Sequence, residues 1–129
     1  MAREPESYAR RMKGGRGLRR IVNALGYSAD GVRFAWQEQG FRQLVWLHAA
    51  LMLCLPFAGF ATGVKMVLVL GSFMSLVIEL VNTGIEAAVD HTSEEMHELA
   101  KKAKDVGSAA QYITLAMLAI LWIMAVTGN

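Results

Sequence analysis

A single cysteine, Cys54, is all the thiol chemistry that the 129-residue chain holds. That excludes an intrachain disulfide and a cysteine-based metal motif, and leaves packing as the role expected of Cys54. Charge is scarce as well: Asp, Glu, Lys and Arg make up 19 % of the residues, against 54 % hydrophobic. The phosphate-loop pattern G-x-x-x-x-G-K-[ST] is missing, and so are the protein-kinase signatures. Gly14, Gly15 and Gly17 form no phosphate cradle. There is no nucleic-acid motif, internal repeat, low-complexity tract or heptad run, and no nucleic-acid partner is expected. The first forty residues carry no compact apolar stretch with a cleavage site, so no signal peptide is expected. His48 reads as a polar packing residue, and His91 and His97 lack metal-ligand spacing.

What the chain has in excess is apolar sequence, with a positive mean hydropathy and eight methionines. That is too apolar for a soluble protein of this size unless most of it lies in lipid. Three segments stand out: 44 to 60, 66 to 89 and 106 to 127. A helix needs about 20 residues to cross a bilayer core. The second and third segments reach that length; the first is shorter, with Pro56 expected to kink it near its end. The spacing predicts an all-α membrane protein with three transmembrane helices.

Lys and Arg are distributed unevenly. Residues 1 to 43 hold nine of them against four acids, and the 90-to-105 loop holds three lysines. The loop between the first two spans holds only Lys65, and no charged side chain follows Thr127. The positive-inside rule then places the N-terminus and the second loop in the cytoplasm. Residues 1 to 17 read as a polar, mobile leader, and 18 to 129 as one membrane domain. Within it, Leu18, Ile21, Val22 and Leu25 are spaced i, i+3, i+4, i+7, the pattern of an amphipathic helix on the membrane surface. The surface helix is expected over 18 to 42, broken at GYSADG (26 to 31), with Trp36 in the interfacial belt. Before the third span, Thr92 or Ser93 is the expected helix cap.

The second span carries the polar residues that need explaining. After thirteen residues without a charge (66 to 78) come Glu79, Asn82, Glu86 and Asp90. On a helix these fall at roughly 0°, 300°, 340° and 20°, so they form one stripe. Charges begun inside a span are expensive and functional by default, the alternative being a polar cluster that holds an oligomer together. Glu79 and Glu86 lie about 10 Å apart along the axis, too far to chelate one ion. The deeper Glu79 suits chemistry on a lipid group, and Glu86 suits a metal at the water boundary. Magnesium takes one or two carboxylates with phosphate oxygens and water, and Glu38 is the candidate second ligand, the other reading being a solvated surface acid. Lys104 and Asp105 read either as phosphate contacts or as a charged helix end with a snorkelling lysine. Arg19 and Arg20 have the same two readings, phosphate contact or attraction to anionic lipid.

Together these residues match a known pattern. E-x-x-N-[ST]-x-[IL]-E-x-x-[VI]-D is met by Glu79, Asn82, Thr83, Ile85, Glu86, Val89 and Asp90, and A-K-D follows at Ala103-Lys104-Asp105. Upstream, Gly26-Tyr27-Ser28, Gly31, Arg33, Ala35-Trp36 and Glu38-Gln39-Gly40-Phe41-Arg42 complete it. The chain resembles, from about residue 18 to its end, the small prokaryotic integral-membrane diacylglycerol kinase family, which also contains undecaprenol kinases. It differs from many diacylglycerol-type members in Asn23 in place of a lysine, in Leu44 in place of an acid, and in one residue fewer between Trp36 and Glu38.

The resemblance implies a homotrimer of the bacterial inner membrane with active sites shared between subunits. It implies ATP and magnesium, and transfer of phosphate to a lipid alcohol, diacylglycerol or undecaprenol; AKDVGSAA favours diacylglycerol. By position, Glu79 is the implied general base, and Glu38 and Glu86 hold the metal. Arg20, Tyr27, Asn82, His97, Glu98, Lys104 and Asp105 serve phosphate and nucleotide, and Glu79, Ser108 and Trp36 meet the lipid. Outside this family, the stripe alone also fits a proton- or ion-conducting oligomer.

Overall fold

A computed structural model describes residues 16–92 and 97–128, all of whose regular structure is helical. The polar residues 1–15, the greater part of the expected leader, and residues 93–96, which include the Ser93 cap candidate, lie outside them.

The first helix, α1 (Leu18–Trp36), follows Gly17, whose φ of 63° is open to glycine at little steric cost. The expected break at 26 to 31 does not occur. Gly26 and Gly31 keep negative φ, and a glycine inside a helix costs only about 1 kcal/mol. Ser28 is satisfied within the helix by donating to the Ala24 carbonyl at 2.9 Å. Asp30 is not a new cap but an ion-pair partner for Arg33 one turn on, at 3.2 Å. The break falls instead at Gln37 and Glu38, where Glu38 is extended (φ −79°, ψ 128°). Arg42 fixes that corner: its guanidinium donates to the carbonyls of Trp36 (2.6 Å) and Gln37 (2.9 Å), acceptors that a helix end leaves orphaned.

The remaining chain, from Ala35 onward, packs as one body. Helix α2 (Gln39–Cys54) tightens into a 3-10 turn at Leu55–Phe57, where Pro56 ends it. Helices α3 (Thr62–Thr92) and α4 (Glu98–Thr127) are 31 and 30 residues long. At 1.5 Å per residue each is about 45 Å, longer than a bilayer core, so their polar ends project beyond it. Gln39–Phe57, α3 and α4 are each long and apolar enough to cross a membrane. Thr92 does not cap α4. Its hydroxyl donates back to the carbonyls of Ala88 and Val89 and closes α3, while His97 caps α4 by accepting from the Leu99 N–H at 3.2 Å.

Packing in this body is the inverse of a soluble core. Leu70, Phe73, Ile113 and Ile120 face outward, as lipid permits. The interior holds His48, Ser72, Ser75, Asn82, Gln111 and Thr114. Small residues let α3 and α4 approach closely: Gly71 lies under Leu118, and Gly107 lies against the Asn82 side chain. At the end away from Glu79, Leu55, Leu68 and Ala125 form an apolar cluster with Phe60, Val69, Leu121 and Trp122.

Candidate active site

Three elements enclose a groove that takes in the deeper part of the α3 polar stripe, Glu79 and Asn82. On α3, the half-buried Glu79 and the buried Asn82 form one wall. Across from them, α4 contributes Ser108, Gln111 and Tyr112. The third side is the first half of α2, with Gly40, Gln43, Leu44 and Leu47. The groove holds about 310 Å³ and is open to the outside. The α2 backbone comes so near the carboxylate that a Cβ on Gly40 would lie 3.5 Å from Glu79 Oε1. Glu79 therefore faces an open slot instead of being sealed in the bundle.

Asn82 is oriented by α4. Its Oδ1 is buried against Gly107 and has no hydrogen-bond donor among the described residues. One turn below Glu79, Gln111 Nε2 donates to Ser75 Oγ at 2.9 Å, a buried bond that joins α4 to α3.

Toward the charged end, Lys104 on α4 reaches across to Asp90 on α3, with Nζ 2.5 Å from Oδ1. Glu86 lies within electrostatic range of both Glu79 and Lys104. The stripe and the A-K-D segment, apart in sequence, thus meet on adjacent helices. Asp105 does not join them: it pairs with Lys101 on its own helix at 2.5 Å. Glu98 likewise pairs with Lys102 at 3.0 Å, and His97 is occupied as the α4 cap. Glu38 is exposed at the start of α2, the end of that helix nearest Glu79, and makes no side-chain cap. Trp36 stacks edge-on against Phe41 and Trp46 instead of lining the groove. Arg20 and Tyr27 lie on the exposed face of α1. Sequence reasoning missed Gly40, Gln43, Leu47, Gln111 and Tyr112 as groove residues. Only Gln111 carried a usable signal, as a carboxamide inside an apolar span.

A sequence model of the prokaryotic diacylglycerol kinase family matches residues 26–126. The chain belongs to this family. Among relatives, the diacylglycerol kinase of Pseudomonas aeruginosa is 40 % identical over 117 residues, covering 90 % of this chain and 95 % of its own. That of Helicobacter pylori strain J99 is 45 % identical over 111 residues (83 % and 84 %), and that of Escherichia coli K12 38 % over 109 (82 % and 88 %). The match extends over the groove, the Asp90–Lys104 pair and all three membrane-length helices, in agreement with the resemblance read from the motif. The family is one of lipid kinases.

Proposed function

We propose that the protein is an ATP-dependent kinase that phosphorylates the hydroxyl of diacylglycerol to give phosphatidic acid. The observation that carries this reading is the placement of Glu79. A carboxylate half-buried in a membrane-length helix opens onto a groove of about 310 Å³. The names of the relatives point to the same substrate.

In this mechanism the lipid stays in the bilayer and slides its hydroxyl into the groove beside Glu79. A neutral alcohol is a poor nucleophile, so Glu79 takes its proton as the oxygen attacks the γ-phosphorus. The new P–O bond forms as the bond to the ADP oxygen breaks, and the proton stays on Glu79 until solvent removes it. Lys104 offsets charge on the phosphoryl oxygens, and the Asn82 NH2 group orients them; positioning and electrostatics supply most of the acceleration in such transfers. Among the described residues no three potential ligands converge into a metal cage. Magnesium delivered with a nucleotide needs only one or two carboxylates, and Glu86 beside the Asp90–Lys104 pair, with Glu38 at the same end of the body, fits that requirement. A magnesium ion held there would offset negative charge on the phosphoryl group.

Further nucleotide contacts are assigned to Arg20, Tyr27, His97, Glu98 and Asp105, and further lipid contacts to Ser108 and Trp36. The protein is placed in the bacterial inner membrane with its N-terminus cytoplasmic, on the distribution of Lys and Arg. A homotrimer is proposed on the family resemblance. The test is transfer from labelled ATP in mixed micelles, with diacylglycerol and undecaprenol side by side, with and without a magnesium chelator. Magnesium-dependent labelling of diacylglycerol supports the reading. Labelling of undecaprenol alone would reassign the substrate, and labelling of neither would refute the kinase.

A further inference from the structure

Gln111 is an expensive residue for a membrane helix. Its side chain is 6 % exposed, yet it has unused hydrogen-bonding capacity. A glutamine carboxamide offers two N–H donors and one acceptor oxygen. Nε2 spends one N–H on Ser75, and Oε1 has no donor among the described residues. Buried polar groups are normally satisfied, and one left without a partner costs enough to need an explanation. The second N–H of Nε2 also has no acceptor among the described residues, and Gln111 lines the same groove as Glu79, so an acceptor on a ligand in that groove is the natural partner of that N–H.

The spacing defines what that ligand carries. Ser75 precedes Glu79 by four residues on α3, one helical turn or about 6 Å deeper. Gln111 is bonded to Ser75, so its carboxamide sits about that far below the carboxylate. In a glycerol diester, the carbonyl oxygen of the middle ester is five bonds from the free hydroxyl, and a bent chain of such bonds spans about 5 Å. A hydroxyl seated at Glu79 therefore leaves an ester carbonyl near the free N–H of Gln111. A polyprenol has only hydrocarbon at that depth.

We propose that Gln111, held by Ser75, is a specificity-determining residue that reads the ester linkage of the lipid and disfavours lipid alcohols without one. This inference rests on the kinase reading above and assigns a residue to its substrate selection. A site built around a hydrogen bond rejects analogues that lack it, because its own polar groups are then buried unpaired. For one neutral hydrogen bond the discrimination expected is about tenfold in kcat/KM.

The test is initial-rate kinetics in mixed micelles with three alcohols: a 1,2-diacylglycerol, the 1,2-dialkylglycerol of matched chain length, which lacks both carbonyls, and undecaprenol. The wild-type protein should prefer the diester to the diether about tenfold. In Gln111→Met, close in size and without the carboxamide, that ratio should collapse toward one, mainly through a higher KM for the diester. Ser75→Ala, which removes only the anchor, should narrow the ratio in the same direction. A wild-type ratio near one would overturn the inference while leaving the kinase intact. So would a Gln111→Met variant that slows both glycerolipids equally, the signature of a purely structural role. If the wild-type protein phosphorylates none of the three, the kinase reading fails first and the specificity residue with it.

Discussion

Gly107 offers a sharp test of how the α3–α4 contact supports catalysis. A Cβ at this position would stand 3.2 Å from Asn82 Cγ and closer still to Oδ1. The obstacle is a short, buried side chain attached to an adjacent helix, not the tip of a flexible one. Gly107→Ala must push the helices apart or swing the Asn82 carboxamide into the groove. Overpacking of this kind costs about 1–3 kcal/mol. A displacement of about 1 Å beside reacting groups can cost on the order of a hundredfold in rate. Gly71→Ala is the matched control: there the new Cβ meets Leu118 Cδ1 at 2.8 Å, the far end of a leucine that can turn aside. Lipid phosphorylation and thermal unfolding in detergent would be measured for both variants. Gly107→Ala should lose about a hundredfold in kcat/KM, with Gly71→Ala within about threefold of wild type at a smaller cost in stability. Equal activity in the two variants would refute the claim that the Asn82–Gly107 contact positions the phosphoryl group.

Other consequences follow from the same geometry. Lys104→Met should lower turnover by about 10²–10³-fold, the usual loss when a charge-stabilising group is removed, while Asp90→Asn, which leaves Lys104 in place, should be milder; single-turnover assays of both variants would reveal the opposite order if it holds. His48 is wholly buried and neither ring nitrogen has a partner among the described residues, so His48→Leu should raise the unfolding free energy in detergent by about 1 kcal/mol; a loss of stability would show that the imidazole is satisfied in the assembled protein. Removing magnesium with a chelator should abolish transfer and restoring it should recover the rate, and turnover unaffected by chelation would remove Glu38 and Glu86 from the metal role.

How far the sequence revealed this protein depends on which interactions set each feature. The three spans were legible because long apolar runs have few alternatives in a membrane protein. Their helices outrun those runs, since backbone hydrogen bonding continues through Asp90 and from Glu98, where hydropathy has already fallen. The corner before α2 was misplaced for a related reason. Gly26 and Gly31 advertise a break, but helical hydrogen bonds outweigh a cost of about 1 kcal/mol per glycine. Gln37 and Glu38 advertise nothing, because their corner is held by Arg42 from the next helix. Glu79, Asn82 and Glu86 could be read as a site from one helix alone, because carboxylates on a single stripe of a span demand a function. The Asp90–Lys104 pair depends on how α3 and α4 are registered against each other. Gly40 and Gln43 in the groove depend on the approach of α2. Neither relation is encoded in local spacing.

The most direct measurement of the central claim is transfer of labelled phosphate from ATP to diacylglycerol by purified wild-type protein and by Glu79→Gln. Thermal unfolding and oligomer size would be recorded for both. Glu79 opens onto the groove and removes the hydroxyl proton in this account, so the variant should remain folded and lose about 10²–10⁴-fold in turnover. A folded Glu79→Gln variant with wild-type turnover would contradict it and move the base elsewhere in the groove.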